Sequence, residues 1–185
     1  MSHSQTGTNG PIESTRNALA EARAAEERSD TTRALEIYEG IALGEPSLSI
    51  EETCQRDLDA LLGSITSPQD LATYHRAKGY LALGGGEDEL AAAHLAISLR
   101  FAPNTEAIAT LERIRQRNGR KFPITTYDDA VRLMVTSRID MGPTERIVEN
   151  LQKKLDEARK RDDDDAARQV AKKLYDLTLD RSYLL

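Results

Sequence analysis

The chain contains no tryptophan, only two phenylalanines and a single cysteine among 185 residues. One cysteine excludes an intramolecular disulfide and any zinc site built mainly from thiolates, and it makes a reducing compartment the simpler inference. With aromatics at 4%, a core of ordinary size has to be made from Ala, Leu, Ile and Val. Such small and aliphatic side chains let helices approach closely, and long runs of Ala, Leu, Arg and Glu favour helix over strand. Strand-type alternation is missing throughout, so an all-α fold is expected. No stretch reaches the roughly 20 apolar residues of a membrane span. The first ten residues, MSHSQTGTNG, lack the basic start and apolar run of a secretory signal. The expectation is a cytoplasmic protein.

Charge is present but unevenly placed. The net charge of −6 divides into 5 basic and 13 acidic side chains over residues 1–70 and 20 basic and 18 acidic over 71–185. Nonspecific DNA binding rests on neutralising phosphates with Lys and Arg, and an acidic chain suits it poorly.

Helical spacing of apolar residues then runs along most of the chain. After a polar tail at 1–10, Pro11 suits a first helical turn, followed by Leu19, Ala22 and Ala25. A second helix is expected from Thr31 to Leu43, stopped by Gly44-Glu45-Pro46. Ser49 with Glu52 has the capping-box pattern for a helix running to Gly63. Ser67-Pro68 opens another, carried by Leu71, Tyr74, Ala77, Tyr80 and Leu81 up to Gly84-Gly85-Gly86. The next, from Glu87 to Phe101, ends at Pro103. Asn104 caps a helix closing at Asn118-Gly119. Thr126 and Asp129 start one that carries Ala130, Met134 and Ile139 and is broken by Gly142-Pro143. Two more, at about 144–160 and 164–180, fold about Arg161-Asp162-Asp163.

Recurrence is the informative feature. Ala34 precedes Pro46 by 12 residues, Ala91 precedes Pro103 by 12 and Ala130 precedes Pro143 by 13, and Tyr38, Leu95 and Met134 each lie four residues after the alanine. A small residue lets the second helix of a pair touch the first, a large one fills the groove beside it, and proline ends the run. In this the chain resembles the tetratricopeptide repeat. Ala77, Tyr80, Gly84, Ala91, Leu95, Ser98, Leu99 and Pro103 match best, with two extra residues in the turn. Ala22, Ala25, Ala34, Tyr38, Ile41 and Pro46 form a second match, and Ala130, Met134, Ser137 and Pro143 keep only the second helix of a third. The helix over 49–63 has no counterpart. The stretch LQKKLDEARKRDDDDAARQVAKKLYDL is similar to the helical hairpin shared by excision-nuclease subunits B and C, one residue shorter at the turn and with an acid where that motif has phenylalanine. The expected organisation is a tail at 1–10, an α-solenoid-like array of antiparallel helix pairs over 11–143, and a hairpin over 144–185.

Chemistry-bearing constellations are scarce. His75 and His94 fall on successive helices and can approach each other, yet no HxxxH, HExxH or ExxH spacing supplies further metal ligands. Cys54 has no base in its neighbourhood of sequence and reads as a buried thiol. Gly84-Gly85-Gly86 follows a helix and leads into Glu87-Asp88-Glu89, which would repel a phosphate. Asp162 to Asp165 lack the glycine and distal Glu of a calcium loop. The basic run of Arg113, Arg115, Arg117, Arg120 and Lys121 places five cations in nine residues with no acid between, which suits an acidic peptide, a C-terminal carboxylate or RNA. No enzyme, metal or cofactor is therefore expected. The repeat resemblance implies a groove that holds a peptide or helix of a partner protein, with Leu19, Arg23, Tyr74 and Lys78 on its face. Charge spacing adds Arg113 and Arg117. The alternative expectation is a nucleic-acid or repair-associated module using 113–121 and the terminal hairpin.

Overall fold

A computed structural model describes residues 11–178 and 181–183; the expected tail at 1–10 lies outside the described residues. The fold is all-α, with no strand among the described residues. The helices are α1 (Pro11–Glu27), α2 (Thr31–Leu43), α3 (Leu48–Leu61), α4 (Pro68–Gly84), α5 (Asp88–Phe101), α6 (Thr105–Asn118), α7 (Tyr127–Thr136), α8 (Thr144–Lys160) and α9 (Asp164–Thr178).

Local chemistry accounts for the ends. Ser67 and Asn104 cap α4 and α6 through the backbone N–H groups of Asp70 and Ala107, and Thr126 with Asp129 forms a full capping box on α7. The box expected at Ser49 does not form: α3 starts at Leu48, with Ser47 at its cap and no side-chain bond. Four helix ends close in one way. Ser29, Gly86, Arg138 and Asp162 take positive φ of 60°, 78°, 56° and 54°, and the next residue's N–H reaches five residues back, from Asp30 to Ala25, Glu87 to Ala82, Ile139 to Met134 and Asp163 to Ala158. This left-handed closure satisfies carbonyls that the helix leaves open. It also ends α7 at Thr136, short of Ile139.

Two helices are central. Every residue of α4 from Leu71 to Ala77 and of α5 from Ala91 to Ser98 is buried, the pattern of helices surrounded on all sides. Ala34, Ala91 and Ala130, and the large residues Tyr38, Leu95 and Met134 that follow them, are fully buried. α1 packs on α2, α4 on α5 and α8 on α9 as antiparallel hairpins.

Two places depart from a simple succession of hairpins. α3 runs antiparallel to α4, with Asp59 beside Lys78 and Glu51 beside Gly85. α2 and α4 therefore run parallel and in contact, Glu39 meeting Arg76 while Ala42 and Leu43 face Tyr80 and Leu83. α6 and α7 each pack on α5 and share little surface with one another, so the third expected helix pair is not closed on itself. The α8–α9 hairpin belongs to the same continuous core, through Ile147, Leu151, Leu155 and Leu174. Arg146 donates to the Gly63 carbonyl, and Asn150 donates to that of Thr66 at 3.3 Å.

α4 and α5 approach closely at Gly79, where a Cβ would lie 3.0 Å from Leu95 Cγ and 3.2 Å from the Ala91 carbonyl oxygen. Gly79→Val should destabilise the fold by about 1–3 kcal/mol through overpacking. A urea midpoint unchanged from that of the parent would contradict this close approach.

Candidate functional site

The six residues expected on a partner-binding face separate into two places. Leu19 is half-buried against the core. Arg23 Nε donates to Asp57 Oδ2 at 3.0 Å. The Tyr74 hydroxyl, on a residue only 2% exposed, donates to Asp59 Oδ1 at 3.0 Å, and Lys78 Nζ reaches the same oxygen at 2.9 Å. Helix α3 thus lies on the face that Arg23, Tyr74 and Lys78 share. It buries Cys54, Leu58 and Leu61 and presents two aspartates to their polar ends. Asp57 and Asp59 escaped sequence reasoning because α3 had no counterpart in the repeat. Acids beside Leu58 on an amphipathic helix were the available signal.

Arg113 and Arg117 lie elsewhere, one turn apart on the wall of a groove of about 440 Å³ between α2, α4 and α6. Its apolar lining is Ala42, Leu43, Leu83 and Ile114, and Leu43 is 49% exposed. Arg113 Nη2 donates to Glu106 Oε1 at 2.8 Å and to Thr110 Oγ1 at 2.7 Å. Arg117, on α6, pairs with Asp88 at the start of α5. Of the remaining cations in the run, Arg115 donates to the carbonyls of Ile124 and Thr125.

Tyr80 forms the floor. The residue is 5% exposed, lines the groove, and its hydroxyl has no hydrogen-bond partner among the described residues. Burial, then the negative field of Glu39, pushes this phenol up to about 12, so it stays a donor at neutral pH. One turn earlier on α4, Arg76 is clamped by Glu39, Nε to Oε1 at 2.5 Å and Nη2 to Oε2 at 3.0 Å, with Thr73 Oγ1 at 3.0 Å from Nη2. Its Nη1 is buried without a partner among the described residues. Neither Tyr80 nor Arg76 was singled out from sequence as part of a site.

The two histidines do meet. His75 Nδ1 and His94 Nδ1 are 2.9 Å apart, and His75 Nε2 lies 3.0 Å from the Met141 carbonyl oxygen. That carbonyl requires a proton on His75 Nε2. His75 Nδ1 is then the acceptor, and His94 Nδ1–H the donor, a tautomer pair assigned from the partners. Burial holds both below the ordinary imidazole value, His75 at about 4 with Lys78 adding to the lowering, and His94 with His75 and Lys78 adding to it.

Among the described residues no group of three His, Cys, Asp or Glu side chains could hold a metal ion, and no helix is long and apolar enough to cross a membrane. Burial pushes the Cys54 thiol up to about 11, with Asp57 reinforcing it, which leaves almost no thiolate at neutral pH. The fold and its groove define an all-α protein organised around two buried helices, with an open cleft beside them. In comparison with known proteins, the chain matches no family model, no curated protein and no solved structure.

The histidine pair sets a pH dependence. Both imidazoles are neutral when folded and take up protons near pH 6.5 when unfolded, so their contribution is complete above that value and is lost as pH falls below it, for His75 toward about 4. Each withdraws up to about 1.4 kcal/mol per pH unit within this window. The urea midpoint should fall steeply from pH 7 to pH 5 in the parent and less in the double variant His75→Gln, His94→Leu; equal slopes would refute the neutral pair.

Proposed function

We propose that the protein is a non-catalytic adaptor that holds a peptide of a partner protein in the groove between α2, α4 and α6. The observation that carries this is the groove itself. It brings an exposed leucine, an aliphatic wall and two arginines into one cleft, in the volume range of ligand sites. Concave sites of this kind combine apolar lining with a few polar groups that fix orientation. We read α1–α2 and α4–α5 as tetratricopeptide-like hairpins, a reading supported by the buried Ala34/Tyr38 and Ala91/Leu95 pairs. The inserted α3 fills the face on which such hairpins would take a peptide, and this favours the opposite groove as the binding surface.

A protein partner is favoured over nucleic acid because Arg113, Arg115 and Arg117 are engaged by Glu106, backbone carbonyls and Asp88, which leaves less of the run for phosphates.

Leu43 is half exposed, so Leu43→Glu alters the groove without opening the core. Affinity capture from cell extract should recover a protein with the parent chain that the variant loses, with melting temperatures within about 2 °C of each other, as expected for a surface substitution. Identical capture by both chains would remove this groove from consideration. Binding to RNA or DNA that weakens steeply with salt would replace the adaptor by the nucleic-acid module.

A further inference from the structure

The buried histidine pair is covered on one edge by a single thickness of chain. His75 Nδ1 meets His94 on the inner side, and Nε2 meets the Met141 carbonyl on the outer side. Ile139, Met141, Gly142 and Pro143 are half-buried and Asp140 is exposed, so the cover over Nε2 is one residue deep. The same segment leads into α8. Gly142 rests directly on α4: its φ is +101°, and a Cβ there would lie 2.6 Å from Leu71 Cδ1 and 3.1 Å from Leu62 Cδ1. Beyond it, α8 and α9 pack chiefly on one another. The hydrogen bonds from Arg146 and Asn150 to the carbonyls of Gly63 and Thr66 are exposed.

We infer that residues 139–143 form an acid-sensitive latch: a proton taken up by His75 lifts them from α4, and the end of the α8–α9 hairpin that they anchor lifts with them, while α4 and α5 stay folded. The proton goes to His75 Nδ1, the acceptor of the bond from His94, and makes a cation inside the protein. A buried charge needs water or a bonded counter-charge, and no carboxylate is bonded to either ring among the described residues. Asp140, on the latch itself, favours the charge, but its Oδ1 accepts from the Gly142 N–H at 2.9 Å. Lys78 of α4, paired with Asp59 of α3, opposes it for both rings. The rings of Tyr74 and Phe101 lie against His75, and α5 closes the Nδ1 side with a run of buried residues from Ala91 to Ser98. Water therefore reaches His75 by the Nε2 edge, where the half-buried latch is the part that can move. Local openings of this kind draw on the segments with least packing.

Deuterium uptake at carbon 2 of each imidazole tests the latch in the full chain, each histidine being compared with itself in the chain unfolded in urea. Opening of the latch exposes His75 and spares His94, whereas unfolding exposes both. His75 passes from about 4 when covered to about 6.5 when open, so linkage raises the open population about twentyfold between pH 7 and pH 5. The expected result is a protection of His75 about twentyfold weaker at pH 5, with His94 still protected. Gly142→Ala places a Cβ against Leu71 and opens the latch without altering a histidine. In that variant His75 should lose protection already at pH 7 and His94 should keep it. Equal protection of the two histidines at both pH values in the parent chain would overturn the latch. So would a Gly142→Ala chain whose His75 is as protected as the parent's, or one in which both histidines are exposed at pH 7.

Discussion

Two helices without a solvent face constrain the rest of the molecule. α4 and α5 are buried over consecutive residues, so each polar side chain they carry has to be answered inside the protein. Asp70, Thr73, His75, Arg76, His94 and Ser98 are all in this position. Thr73 and Ser98 return hydrogen bonds to their own helices. His75 and His94 satisfy one another and reach the carbonyl of Met141, which ties the segment before α8 to the central pair. Arg76 requires Glu39 from α2, and that requirement sets how α2 lies against α4. The neighbours of the central pair are thus fixed as much by its polar residues as by its apolar ones.

The parallel course of α2 and α4 follows from α3. A chain that returns along α3 before entering α4 brings its second and fourth helices side by side in the same direction. α3 then covers this face, holding Arg23, Tyr74 and Lys78 through Asp57 and Asp59. The cleft that stays open is on the other side, where the ends of α2 and α4 meet α6. Its position is a consequence of topology and is not marked by any motif of its own.

Much of the architecture was legible in the sequence because it is local. Helix starts at Thr31, Pro68 and Thr105 follow from capping residues and apolar spacing, and the burial of Ala34, Ala91 and Ala130 follows from the need for small residues where helices touch. The partition of functional residues was not legible. Tyr74 and Lys78 occur at positions suited to a peptide-binding face, and nothing in their spacing reveals that Asp59, 15 and 19 residues away, claims them. Tyr80 was read as core, and it is core. That its hydroxyl is buried without a partner among the described residues, on a residue lining a cleft, depends on α6, which joins the site only through tertiary packing. Gly79 lay unremarked between Lys78 and Tyr80, since contact with Leu95 exists only once α5 has folded back.

The two kinds of ion pair around the groove differ in what they can do. Arg76 and Glu39 are both largely shielded and joined by two hydrogen bonds, and separating such a pair strands a charge in the interior at about 3–5 kcal/mol. Arg113 and Glu106 are 68% and 56% exposed along their side chains, and pairs of that kind contribute about 0–1 kcal/mol. The first is a fixed link between α2 and α4 beneath the surface, and the second lies on the wall of the groove, where its arginine can exchange partners at little cost.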